Sequence, residues 1–552
     1  MATKIWTGGG ADELASTGLN WDTGTAPTTG DAAVFDGAFP VTGNKNCTWD
    51  ITATILSIDS TGYTGLITAS ATMTTSGGIT FANNTFAHGN QIVVLAGTQT
   101  VTPGTGNPFY QLRFPGQGQT QTISGTATVV NTCDLMLSGV DPTTINGGTL
   151  ECQGDVQTTG SAAVGGTTAL QFTGGANQTW ASAGGGINSL AITINKSANT
   201  LTLSGVLKIG TGGFTHTAGT VDAGTSEFNL RSTSSISPGS ISFYKITFEG
   251  QANTNTITGT LLATNTVELM RSGVDSQTIN GGTLTCQGDI VKTGTAAVNG
   301  TTAMLISGGA NQAWSQAAGA NNLDITINKS GNTLTLSGTL ALGGNLTYTA
   351  GTVVATGTTI TKSGTKNVKS GTIAWNNFTI SDGGSTTTLT GNFDVNGALT
   401  INAGNFLAAS SNTINVAGNF INAGTFTRNT STVIFDGTST LVGNTSFNLL
   451  TFSASSVNLA SSANFVAAST FTANGADANN LIVFKATTAG TRAIFRVSGG
   501  QSVSFVSATD IDSSGGNAVS NANGVISNTV NWSIPAPPVA STDTLSYIFM
   551  VA

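Results

Sequence analysis

Residues 138–156 read SGVDPTTINGGTLECQGDV, and residues 272–290 read SGVDSQTINGGTLTCQGDI. Inside each copy Thr and Asn alternate with Ile and Leu on both sides of a Gly-Gly step, which predicts two short strands joined by a tight turn. The offset of 134 carries Gly147 to Gly281, Cys152 to Cys286 and Trp180 to Trp314. Upstream it carries Phe109-Tyr110 to Phe243-Tyr244. Downstream INKSANTLTLSG (194–205) answers INKSGNTLTLSG (327–338) after one deletion. Two tandem modules are therefore written into the chain.

A shorter signature recurs inside and beyond them: FYQLRF (109–114), INSLAI (187–192), FYKITF (243–248), NNLDITI (321–327), WNNFTI (375–380) and FNLLTF (447–452). Its anchors Leu112, Leu190, Ile246, Leu323, Phe378 and Leu450 fall at alternating long and short intervals, so each module has two unequal halves. The intervening chain is period-two strands closed by Gly or Asn-Gly, without an amphipathic helix of useful length. The expected fold is all-β: an elongated parallel β-helix, or β-solenoid, with capped ends. At about 22 residues per coil and about 4.8 Å between coils, some 22 coils would form a rod on the order of 100 Å.

Stacking also accounts for the composition. Only 8% of the 552 residues are charged, against about 25% in ordinary globular proteins. Coils in register place like residues above one another, and a ladder of like charge repels while Thr, Val and Asn tolerate it. The hydrophobic fraction of 38% and net charge of −8 exclude wholesale disorder. The absence of a basic block argues against nucleic acid as a partner; the densest basic run, Lys362, Lys366 and Lys369, reads as a solvated face. No apolar run of about 18 residues predicts a membrane span, and MATKIW (1–6) has no signal-peptide core.

Little chemistry is legible. Cys47, Cys133, Cys152 and Cys286 match no zinc spacing and read as small buried fillers. His88 and His216 are too few for a triad or three-His centre, and His216 in FTHTAGTV occupies the place of Tyr348 in LTYTAGTV. The five glutamates, at 13, 151, 227, 249 and 268, do not recur between modules, while Asp141/Asp275 and Asp155/Asp289 recur beside turns, where aspartate bonds backbone. Asp510 and Asp512 could contribute to a Ca²⁺ site. The Asn-Lys-Ser triplets at 195–197 and 328–330 read as turns. Trp180 and Trp314 are candidates for stacking on glycans, against a packed corner of a coil. No catalytic, cofactor-binding or metal residues are assigned.

The segment WTGGGADELASTGLNWDTGTAPTTGDAAVFDG (6–37), with Trp6, Trp21, Pro27 and Gly30-Asp31, resembles the opening of bacterial surface and autotransporter-like β-helical proteins. Residues 479–534, with Ala-Gly-Thr between two apolar strands, Val-Ser-Gly-Gly, Asp510-x-Asp512 and Asn531-Trp532, resemble the closing segment of β-strand-repeat proteins of phages and bacterial surfaces. That resemblance implies an architectural protein without a shared catalytic residue, commonly a homotrimer. The expected organisation is a cap or attachment segment (1–37), a first β-repeat region (38–108), module 1 (109–242), module 2 (243–374), further β-repeats (375–478), a closing segment (479–534) and a Pro-rich linker with an apolar tail (535–552). In that tail Tyr547, Ile548, Phe549, Met550 and Val551 form an apolar strand expected to dock on another subunit or particle component, or on the last coil. The leading expectation is a non-enzymatic phage fibre, spike or capsid decoration protein located in the virion, with surface glycans and other virion proteins as partners. A bacterial adhesin or extracellular filament subunit is the alternative, and a polysaccharide-cutting tailspike the third.

Overall fold

The computed structural model describes residues 1–37, 46–137, 139–183, 185–381, 383–453 and 455–536. Strand makes up 57% of the protein, and no α-helix occurs among the described residues. The strands wind into a parallel β-solenoid of about 23 turns. The chain divides into two compact units, Met1–Leu334 and Thr335–Ala552. Among the described residues, no helix is long and apolar enough to cross a membrane.

In the first unit, each inward residue lies directly above its counterpart on the next coil. Val93, Leu112, Cys133, Val156, Trp180 and Leu203 form one such column through successive parallel ladders, and each is at most 2% exposed. A second column runs through Leu207, Phe228, Ile246, Val267, Ile290 and Trp314. The second unit repeats the device with Ile360, Phe378, Leu399, Phe420, Leu441 and Leu459. Each fully buried side chain of this kind contributes about 1.5–3 kcal/mol. The core is thus a set of parallel apolar columns.

Corners need a different solution, because a turn interrupts the backbone ladder and strands an amide. Side chains from the preceding coil fill the gap: Asn177 accepts from the Thr200 amide and Asn311 from that of Thr333, each at 3.1 Å. Asp155 and Asp289 do the same for the amides of Thr179 (2.7 Å) and Ala313 (2.8 Å), which explains why these aspartates recur. Asn392 and Asn419 continue the pattern in the second unit. The paired glycines are equally constrained: Gly148 and Gly282 hold φ of +40° and +48°. A Cβ at either would collide with the carbonyl oxygen of Gly125 or Gly259 on the coil before.

The N-terminal segment closes the first coils. Trp6, Trp21 and Phe35 pack at centroid separations of 5.3–5.7 Å, and the Trp21 indole donates to the Ala15 carbonyl at 2.7 Å. Thr48, on the strand Cys47–Trp49, exchanges backbone hydrogen bonds with Glu13 and Ala15, so the segment covers an otherwise open strand edge. At the other end, Trp532 packs on Phe484 at 5.9 Å and donates to the Ser513 hydroxyl at 2.8 Å. The tail residues Tyr547, Ile548, Phe549, Met550 and Val551 lie outside the described residues.

Candidate functional site

Trp180 and Trp314 are 2% and 1% exposed, so neither ring offers a face to a sugar. The expectation of glycan stacking there is corrected: both rings stand in the interior columns. The misreading has a physical cause. Along Gln178–Ser182 the inward positions are Gln178, Trp180 and Ser182, so a polar residue shares the parity of the tryptophan.

Gln178 is buried because it belongs to a polar clamp spanning three coils. Its amide donates to the carbonyls of Cys152 and Gly154, both at 2.8 Å, while its oxygen accepts from Lys196 Nζ at 2.5 Å. Lys196 also donates to the Ala176 carbonyl at 2.8 Å. Module 2 rebuilds the clamp with Gln312, Lys329, Cys286, Gly288 and Ala310. Burial lowers the pKa of both lysines. The Asn-Lys-Ser triplets accordingly lie within the strands Ala191–Ile209 and Asp324–Ser337 rather than in turns, with local distortion where Asn199 and Asn332 take φ of +56° and +50°. Lys362 is likewise buried, donating to the Ser363 carbonyl at 2.6 Å, which corrects its assignment to a solvated face.

A concentration of ionisable groups joins three neighbouring coils across the boundary between modules 1 and 2, the first coil belonging to module 1 and the next two to module 2. Three of the five glutamates, Glu227, Glu249 and Glu268, meet Arg231, Lys245 and Arg271. Glu227 lies in register with Lys245 on the next coil, and Thr247 with Glu268 on the coil after that. Lys245 Nζ stands 3.2 Å from Glu227 and 3.6 Å from Glu268. Arg271 reaches all three carboxylates: Glu268 at 3.0 Å, Glu249 at 3.6 Å and Glu227 in a close pair. Asn229 donates to Glu227 and Glu249, each at 3.1 Å. Burial alone would raise the Glu227 pKa, but Lys245 and Arg271 outweigh it and hold the carboxyl below its ordinary range. Here opposite charges alternate from coil to coil, so stacking becomes attractive instead of repulsive.

The first coils of module 1 carry a reduced form of this cluster. Asp134 stands at the place of Glu268, 1% exposed, paired with Arg113 at 2.9 Å and bonded by Gln111 and Gln157. The places of Glu249 and Arg271 are taken by Pro115 and Leu137. With every carboxylate of the Glu227–Glu249–Glu268 cluster engaged by a cation, the group is built to bind coil to coil.

The remaining candidates are also spent internally. Asp510 accepts from Asn528 and from the Gly490 amide, and Asp512 from the Ser514 amide, bonds that hold both carboxyls below their ordinary range. Among the described residues, no group of three or more His, Cys, Asp or Glu could hold a metal ion. His216 Nε2 bonds the Gly219 carbonyl at 2.9 Å, and the Tyr348 hydroxyl donates to that of Gly351 at 2.6 Å, so the two residues share one structural role. His88 packs against Tyr110 at 5.4 Å. All four cysteines are free and buried. Burial pushes the thiols of Cys47, Cys133 and Cys286 well above their ordinary range.

A different kind of surface lies beside the 103–108 loop of the first unit, where small polar side chains line a cleft of about 590 Å³. Glu151 stands next to it, accepting from Thr128 at 2.9 Å and from Gln153 at 3.3 Å, both of which line the cleft.

No family model matches this sequence, and no curated protein or solved structure matches it.

Proposed function

We propose that this protein is a structural and adhesive component of a virus particle, a phage fibre, spike or capsid decoration protein without catalytic activity. The observation that carries the reading is the use made of its reactive side chains. Carboxylates pair with cations between coils, lysines are clamped by carbonyl groups, and thiols fill the core. Such a chain spends its chemistry on holding coil to coil, which suits a protein whose task is to present a durable surface. The resemblance of residues 6–37 and 479–534 to segments of phage and bacterial surface proteins supports the same reading.

Peptide mass spectrometry of gradient-purified virions tests it. Recovery of the protein at stoichiometry comparable to known structural proteins is expected, and its absence from particles would reject the reading. In the particle the protein is proposed to be a homotrimer, which native mass spectrometry of the full chain measures directly.

A further inference from the structure

The cleft beside the 103–108 loop is held open by a rigid frame. Asn107, 3% exposed, accepts from the Phe86 amide at 2.9 Å and donates to the carbonyls of Ala82 (2.6 Å) and Pro103 (2.7 Å). Gly104 and Gly106 hold φ of +65° and +77°. A Cβ on Gly104 would meet the Phe81 carbonyl oxygen, and one on Gly106 the Asn84 side chain. The loop is therefore fixed by its neighbours before any ligand arrives, which lowers the ordering cost of binding.

Its lining is rich in groups with unused hydrogen-bonding capacity. The hydroxyls of Thr102, Thr105, Ser124 and Thr126 have no hydrogen bond within the described chain, and Asn83 spends only its oxygen, on the Thr105 amide at 2.7 Å. Pro108 and Val130 add apolar surface. No charged residue lines the cleft, and the adjacent Glu151 carboxylate sets a negative local potential. A volume of about 590 Å³ falls within the range of about 300–1,000 Å³ usual for small-molecule sites.

Module 2 acts as an internal control. At the places of Thr128, Val130 and Glu151 it carries Leu262, Thr264 and Thr285. The polar frame anchored by Glu151 is thus particular to module 1 and is not demanded by the solenoid.

We infer that this cleft binds a neutral oligosaccharide, its hydroxyls meeting the unspent Thr, Ser and Asn groups and its apolar C–H faces meeting Pro108 and Val130. Glu151 disfavours uronate and sulfated sugars by like charge. The lining carries no carboxylate and Glu151 stands singly beside it, where glycoside hydrolysis uses a pair, so the cleft binds without cutting. The inference rests on the adhesive part of the function proposed above.

The test titrates the full chain with gluco-, galacto-, manno- and N-acetylhexosamine oligomers, with galacturonate oligomers and a sulfated glycan as the anionic arm, read by saturation-transfer NMR and calorimetry. At least one neutral series is expected to bind. Thr126→Arg, which fills the cleft from an exposed position, should weaken that binding by about tenfold or more. The same change at the equivalent Thr260→Arg should leave it unaltered. Gln153→Ala provides a milder second variant if Thr126→Arg alters the melting profile. Absence of binding to any neutral oligomer at millimolar concentration, preference for the anionic arm, equal effects of the two arginine variants, or occupation of the cleft by peptide alone would overturn the inference. Virion mass spectrometry is independent of these outcomes, so a protein found in particles that binds no glycan refutes the cleft and leaves the structural reading standing.

Discussion

Replacing Arg271 by leucine, the residue found at the equivalent position 137, probes how strongly charge holds coil to coil. Arg271 contacts Glu227, Glu249 and Glu268, whose side chains are 13%, 7% and 10% exposed, while its own is 30% exposed. Removing one partner of a buried ion pair costs about 3–5 kcal/mol, whereas exposed pairs contribute about 0–1 kcal/mol. The partial exposure of Arg271, together with the surviving Lys245 and Arg231, places R271L between these limits, at about 2–3 kcal/mol. A long solenoid need not unfold in one step, so the measurement should be local. Hydrogen exchange of amides in Glu227–Leu230 and in the second half of Thr260–Met270 should quicken by about 30- to 150-fold at pH 7.

The pH dependence is a sharper discriminator. Because the Glu227 pKa is lowered in the folded state, its contribution is fully present above the ordinary carboxylate value of about 4.3 and is lost as pH falls through the folded value. The difference between wild type and R271L should therefore be largest near neutrality and shrink below about pH 4, as protonation relieves the uncompensated carboxylates. Adding Glu249→Gln to R271L should recover part of the loss. An effect below about 0.5 kcal/mol, or one that stays constant from pH 7 to pH 3, would refute the reasoning.

Trp180→Ala and Trp314→Ala should each cost about 3–5 kcal/mol by opening a cavity in an interior column, measured by urea melting and local exchange. Lys292 is 1% exposed, donating to the carbonyls of Gly294 and Ala318, and burial lowers its pKa to about 8. The unfolded chain then binds more protons than the native one between about pH 8 and 10.4, so local stability around Lys292 should rise with pH across that window. Lys292→Met should abolish the rise, as exchange-rate measurements corrected for intrinsic rates would reveal. The four cysteines should resist alkylation in the native protein and react stoichiometrically once it is unfolded in guanidinium; rapid native labelling would contradict their burial.

How far such features can be read in advance depends on their range along the chain. Strand alternation is local, so the period-two pattern and Asn-Gly-Gly turns of 138–156 and 272–290 announced short strands, and their repetition announced stacked coils. The matching of His216 to Tyr348 held at the level of a single hydrogen bond to the chain three residues on. Trp180 was misplaced because inward Gln178 and Ser182 obscured the parity of its strand, and the polar clamp that justifies Gln178 draws on residues 152, 154 and 196.

The charge cluster was invisible for the same reason. Glu227, Lys245 and Glu268 are remote in sequence and become neighbours only when each coil settles on the one before it. Coil length varies, and bulges such as those between Phe243 and Lys245 and between Glu268 and Met270 reset the register. By itself the sequence determined that this chain would form short strands, repeat them and stack them in parallel. Which side chains face each other across coils, and hence which polar groups are spent on the core and which remain free to meet a ligand, was decided only by the tertiary register, because hydrogen bonds and ion pairs act over a few ångströms of space rather than along the chain.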